Sequence, residues 1–370
     1  MGPNTQASGS GRLMSIDALR GFDMFWIIGG ERMVRGLDTG LKSPWFSDHV
    51  TRQMGHVPWE GFQFMDLIMP LFLFISGVAM PFSFAKRLGS GNDQRGLYVH
   101  VAKRFVILFV LGMVAQGNLL AYDLSKLHIY CNTLQAIAAG YLIAALCLMN
   151  LRLVGQIAAA VGLLLGFWAL MAWVPVPGHG AGKLTPDGNL AIWLDHRILG
   201  AFQDRTTYSW ILSSMNFGCT VLLGAFAGQL LRSSVQSWLK AVVLLTAGGA
   251  CFLVGLGWNQ WFPIIKHLWT SSFVLYAGGM SLALMGLFYL LIDVWGLRRW
   301  AFVFMVIGMN AIAVYMANML FDFRRIADIF VGGLGKWTGS WQDLIRAMGG
   351  FAVVWLILLY MYRKKTFVKV

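Results

Sequence analysis

A histidine, two nearby carboxylates and a tryptophan carry most of the chemistry this chain can offer. His56-Val-Pro-Trp59-Glu60-Gly61 stands just ahead of a long apolar run that itself contains Asp66. Imidazole is the side chain most easily poised to move protons near neutral pH. If 56–60 formed one helical turn, His56 and Glu60 would stack on a single face. A carboxylate beside an imidazole favours its charged form, fixes its tautomer and makes it a better base. Asp66 lies one turn before Pro70, and a proline frees backbone carbonyls inside a helix. The same residues also fit a plainer role, with His56 and Trp59 in an interfacial aromatic belt.

Other polar residues sit where hydrocarbon is expected. The first apolar segment opens Ser15-Ile-Asp17-Ala-Leu-Arg20-Gly21-Phe-Asp23, and charges inside such a span default to functional hypotheses. Asp17/Arg20 and Arg20/Asp23 are also i,i+3 neighbours, so a structural ion-pair ladder with Ser15 as cap fits equally. Glu31 falls near the outer end of that segment, within reach of a cavity shared with His56. Asn189-Leu-Ala-Ile-Trp-Leu-Asp195-His196-Arg197 mixes polar groups with tryptophan. That suits a polyhydroxylated ligand, because an aromatic ring packs on a sugar face, and it equally suits an interfacial helix. Asn132, Gln135, Asn216, Asn310 and Asn318 lie inside apolar segments and need partners in other helices or in a ligand. Lys86-Arg87, Arg95, Lys103-Arg104 and Arg298-Arg299 could clamp phosphates, or reflect only the positive-inside rule. No phosphate-loop, dinucleotide or zinc-peptidase motif occurs. Cys131, Cys147, Cys219 and Cys251 lack metal or disulfide spacing, so no metal is expected.

What must position these groups is a set of membrane helices. The 370 residues are 58% hydrophobic and 12% charged, with a mean hydropathy of +0.64, where a soluble domain would be about 25% charged. The apolar residues gather into blocks of about 20, long enough to span a bilayer. The pattern predicts an all-α, polytopic bundle of ten spans, roughly 16–37, 62–85, 99–121, 128–149, 152–174, 210–231, 237–258, 269–293, 299–321 and 344–363. Residues 1–14 read as a disordered cytoplasmic N-terminus without a cleavable signal, and 15–370 as one domain with long outer loops at 38–61 and 175–209. With the N-terminus in the cytoplasm, the basic residues from Arg12 through Lys86, Arg104, Arg232 and Arg299 to Lys369 fall on one side. That side then carries the entire net charge of +13, giving an N-in, C-in arrangement. The basic balance thus needs no nucleic acid to explain it.

The quoted runs resemble a family. Ser15-x-Asp17-x-x-Arg20-Gly21, His56-x-x-Trp59-x-Gly61 and Asp66-Leu-Ile-x-Pro70-x-Phe72-x-Phe74-Ile-x-Gly77 are similar to heparan-α-glucosaminide N-acetyltransferase and its bacterial relatives. So are Leu134-Gln135, Leu194-Asp195-x-Arg197, Leu268-Trp269-Thr270-Ser271-Ser272 and Gly308-Met309-Asn310. The resemblance spans nearly the whole chain. It implies transfer of acetyl from cytoplasmic acetyl-CoA to a glucosamine-like amine across a bacterial inner membrane, by a homodimer. His56 falls on the family's catalytic histidine, with Glu60 or Asp66 to orient it. Glu31, Trp59, Asn189, Asp195, Arg197, Asn216, Trp269, Ser271 and Asn310 become candidate acceptor residues. Arg20, Lys86, Arg87, Lys103, Arg104, Gln135, Arg298 and Arg299 become candidates for holding CoA. The sequence departs from its relatives in lacking the lysosomal enzyme's extra luminal domain before the first span. It also has Glu31 at an asparagine position and Ala136 where Leu-Gln-Arg is common. Some bacterial relatives are described as N-acetylglucosamine transporters, so transport without chemistry is the alternative. It predicts inverted repeats and broken helices.

Overall fold

The computed structural model describes residues 13–368 apart from Ser90 and Asn92. Most of the segment expected to be disordered, including Arg12, lies outside the described residues, as does Lys369. Met14 already begins the first helix. Among the described residues there is no strand, only isolated bridges between Glu60 and Ile265 and between Val176 and Gly180. Helix is the expected answer to hydrocarbon, since it satisfies every backbone N–H and C=O within one segment.

The chain forms α1 (Met14–Phe25), α2 (Glu31–Leu41), α3 (Pro44–His49), α4 (Ile68–Gly89), α5 (Gln94–Ala115), α6 (Thr133–Asn150), α7 (Leu153–Trp173) and α8 (Leu190–Leu199). It continues with α9 (Ser214–Arg232), α10 (Ser237–Trp258), α11 (Ser271–Tyr289), α12 (Phe302–Gly308), α13 (Ala311–Leu320), α14 (Phe323–Val331), α15 (Gly335–Thr338) and α16 (Gln342–Arg363). Among the described residues, α4, α5, α6, α7, α9, α10, α11 and α16 are long and apolar enough to cross a membrane, eight in all. The pair α12–α13, bent by 75°, makes a ninth if it is one span. The remaining expected span, 16–37, is helical from α1 through a π-helical turn at Trp26–Gly30 into α2. Its charges, Asp17, Arg20, Asp23, Glu31, Arg32 and Arg35, set it apart from the others. The chain is a multi-pass membrane helix bundle.

The charged ladder of α1 keeps its Asp17–Arg20 rung. Arg20 meets Asp17 at 3.4 Å, whereas Asp23 is fully buried and neither of its oxygens has a hydrogen-bond partner among the described residues. Ser15 does not cap the helix, because Leu13 holds that position; its backbone N–H instead donates to Asp293 at 3.2 Å.

The centre of the bundle is the α4–α9 pair. Of their apolar windows 72% and 67% are buried, against 22% for α5, α7 and α16, which form part of the outer ring. Lipid tails are as apolar as leucine, so helices associate through close van der Waals fit and small residues at the crossing. A Cβ on Gly224 would stand 1.9 Å from the Phe74 carbonyl oxygen, and one on Gly77 2.0 Å from that of Val221. The α1–α12 crossing is equally tight, with Gly308 against the backbone of Asp17. Gly224→Ala is therefore expected to destabilise the protein by about 1–3 kcal/mol. A lowered thermal unfolding midpoint in detergent would register this, while Gly249→Ala, with nothing within 4 Å, leaves the midpoint in place.

Candidate active site

The site begins where α4 begins. Residues 64–67 form a 3-10 turn leading into α4, and Asp66 is fully buried there. Its Oδ2 accepts the Gln63 N–H at 3.0 Å and the Val57 N–H at 3.4 Å. Its Oδ1 accepts His56 Nδ1 at 2.7 Å and Lys266 Nζ at 3.1 Å. A separation that short between a ring nitrogen and a carboxylate oxygen requires the proton on Nδ1, leaving Nε2 as the free position of a neutral ring. The His56 side chain is 50% exposed and the Lys266 side chain 5%.

Long-range contacts hold the His56 loop in place. Arg35, paired with Glu31 at 2.9 Å, also donates to the Met54 carbonyl at 2.7 Å. The Gln53 side chain accepts the Phe64 N–H, and Gly61 N–H donates to Ile264 at 2.9 Å. Trp59 Nε1–H donates to the Leu184 carbonyl. The expected helical turn placing Glu60 over His56 does not form. Pro58 and Gly61, the latter at φ +111°, hold this segment out of helix, and Glu60 is exposed and bridges to Ile265. The carboxylate that orients His56 is Asp66.

Aromatic rings flank the pair. His267 stacks on Tyr208 at 4.2 Å and meets the edge of Trp59 at 5.4 Å, while its Nδ1 lies 2.7 Å from Thr207 Oγ1. Burial first, and the neighbouring Lys266 second, pull the His267 imidazole down to about 4. His267 is therefore neutral at physiological pH and presents a polar but uncharged edge beside His56.

A cavity of about 870 Å³ opens at the opposite end of α4. Lys86, Arg87, His100, Arg104 and Arg232 line it, and its walls continue past Asp17, Arg20 and Ser76 to Phe72, Thr133 and Tyr315. At 1.5 Å per residue, Lys86 stands about 30 Å along α4 from Asp66, and Phe72 about 9 Å. The lining stops at Phe72 and does not include His56. Arg104 lies 4.3 Å over the Tyr141 ring. Of the residues expected to hold CoA, Arg20, Lys86, Arg87 and Arg104 line this space. Lys103, Arg298 and Arg299 are exposed outside it, as positive-inside charges would be. Gln135 is buried and spoken for, accepting the Cys131 N–H and donating to the Ile129 carbonyl.

Most of the expected acceptor residues make hydrogen bonds within the chain. Asn189 caps α8, accepting the Ile192 N–H at 2.8 Å. Asp195 is buried and accepts the N–H groups of Trp210 and Ile211 at 2.6 and 2.9 Å, and burial pushes its carboxyl up to about 7. Arg197 is exposed. Asn216 donates to the Trp269 carbonyl, Trp269 donates to Thr220, and Ser271 donates to Leu164. Asn310 sits at the α12–α13 bend and binds the Thr366 carbonyl and the Val368 N–H. These contacts are internal to the chain, made because polar groups inside hydrocarbon must find partners. Of the set, Trp59 shares the His56 loop and meets His267, and Glu31 pairs with Arg35, which holds the same loop at Met54. Lys266 and His267 were missed from sequence, since their pairing with residues 56–66 crosses some 200 positions.

The chain is similar to heparan-alpha-glucosaminide N-acetyltransferase of Homo sapiens, with 25% identity over 97% of its length. The protein of the same name from Mus musculus is 24% identical over all of it. The chain spans 60% and 62% of those relatives, about three-fifths of their length. No family model matches. The relationship is distant and runs nearly end to end.

Asp195→Ala is expected to lower the unfolding midpoint, because two buried N–H groups lose their acceptor at about 1–3 kcal/mol each. The per-molecule activity of the folded fraction stays unchanged, since the carboxylate holds the 190–211 link through Trp210 and Ile211 rather than meeting His56.

Proposed function

We propose that the protein is a membrane acetyltransferase that carries acetyl from acetyl-CoA, bound at the basic mouth, to the amine of a glucosamine-like sugar near His56. The observation that carries this reading is the arrangement along α4. A histidine oriented by a buried carboxylate stands at one end, and a large cavity with a cationic mouth opens at the other. The distant similarity to N-acetyltransferases supports the reaction class. The cavity suits a donor with phosphates and a long, thin arm, because five basic or imidazole side chains gather at its mouth and its depths are largely apolar. Lys86, Arg87, Arg104 and Arg232 would meet the phosphates, which favour charge-assisted hydrogen bonds. The arm must reach beyond Phe72 to bring its thioester to His56.

At the acceptor end, Asp66 fixes the proton on Nδ1, so Nε2 serves as general base. The amine nitrogen attacks the thioester carbonyl carbon and gives its proton to Nε2. The tetrahedral intermediate collapses, the C–S bond breaks, and the departing sulfur takes a proton from the imidazolium. Products are the N-acetyl sugar and free thiol. With the basic mouth in the cytoplasm, the acceptor stands outside, and a bacterial inner membrane fits this orientation. A second reading, transport of an amino sugar without chemistry, draws on the α12–α13 bend, since broken helices often line transport sites.

Purified protein given acetyl-CoA and glucosamine is expected to release CoA and form N-acetylglucosamine. His56→Ala should lower kcat at least 10²-fold, and Asp66→Asn by about 10²–10⁴-fold, from loss of the oriented base. Lys86→Ala and Arg104→Ala should raise KM for acetyl-CoA while Arg299→Ala does not. Turnover that survives His56→Ala would sink the mechanism, and sugar uptake into vesicles without CoA release would favour the transporter.

A further inference from the structure

The buried ammonium of Lys266 has no place in the steps above, yet it touches both members of the pair. Lys266 Nζ lies 3.1 Å from Asp66 Oδ1 and 3.3 Å from His56 Nδ1. The chain link between α10 and α11 that carries it is fastened to the His56 loop by the Gly61–Ile264 and Glu60–Ile265 contacts. We infer that Lys266 is a positioning residue that keeps His56 in its neutral, proton-accepting form. This inference rests on the acetyltransferase reading for its activity arm only.

The physical reason lies in competition for one oxygen. Asp66 alone, buried 2.7 Å from the ring, would draw a second proton onto His56 and occupy the base before the amine arrives. Lys266 donates to the same Oδ1 and cancels that pull. Once Nδ1 carries its proton, the nearby ammonium also meets any imidazolium as a like charge, and a like charge at this range disfavours the charged form. Among the described residues, His267 on the same link also faces the pair, with Tyr208 of the α8–α9 link stacked upon it. Burial lowers Lys266, while the charge of Asp66 opposes that drop. An ion pair this enclosed is otherwise expensive to keep, which fits a role in setting the proton on its neighbour.

The test follows the ring itself. In protein labelled with ¹³C-histidine and held in detergent micelles, the His56 signal is identified among the seven histidines by its loss in His56→Gln. In Lys266→Met, the midpoint of that signal's titration is expected to move to higher pH by about one to three pH units. Acetyl transfer needs the neutral ring, so the acidic limb of kcat against pH moves up by the same amount. At pH values below both midpoints kcat falls about 10-fold for each pH unit of the displacement, while KM for the amine changes little. Lys266→Arg, which keeps the charge, leaves the midpoint in place. Lys266→Gln, which keeps a hydrogen-bond donor to Asp66 but no charge, moves it as Met does and serves if Met disrupts folding. An unmoved midpoint in folded Lys266→Met or Lys266→Gln overturns the inference, as does a displaced one in Lys266→Arg. A midpoint that moves in a protein showing no acetyl transfer upholds the role of Lys266 and removes the acetyltransferase reading.

Discussion

The carboxylate of Asp66 joins more of this molecule than any other single group at the site. One oxygen takes two backbone N–H groups, which closes the turn leading into α4 and fastens the preceding loop at Val57. The other takes the His56 ring and the Lys266 ammonium. The loop at 56–57, the turn at 63–67 and a link some 200 residues away therefore converge on one buried acid. A buried carboxylate is costly to keep ionised unless its lone pairs are filled, and here four donors are in place. The requirement that Asp66 be satisfied is what brings the histidine, the lysine and the central helix to a common point.

The rest of the bundle sets that point at one end of a helical axis and a cavity toward the other. The α4–α9 crossing is drawn tight by Gly77 and Gly224, so α4 is a rigid axis through the middle. Asp66 stands at one end of the axis and Lys86 at the other. Between them the wall of α1, α5, α6, α12 and α13 stands away from α4 and leaves the cavity. In the proposed acetyl transfer, separation along a stiff helix would give donor and acceptor different compartments without any large movement of the frame.

Hydropathy made the membrane class and nearly every long helix legible, because twenty apolar residues in a row have few other fates. It was less decisive for 16–37, where charges interrupt the apolar pattern although the segment stays helical. His56 and Asp66 could be picked out because an ionisable residue beside an apolar run is conspicuous. Their pairing could not, and spacing pointed instead to Glu60. Helical i,i+4 logic fails wherever Pro58 and Gly61 hold the backbone extended. Lys266 was invisible for a different reason, since a contact across 200 residues leaves no local pattern. The buried amides and Asp195 were conspicuous for the same reason as His56, but they are occupied with each other and with backbone. Polarity inside hydrocarbon marks a residue that needs a partner, and the partner is more often another helix than a ligand.

The bend at Asn310 has a practical side. Its amide grips the backbone at Thr366 and Val368, and Val368 itself forms part of the rim through which the basic cavity opens. The stretch from Lys364 to Val368 is thus a doorframe. A bulky label attached at Thr366 or Val368 would crowd that threshold, so labels are better attached at a different site.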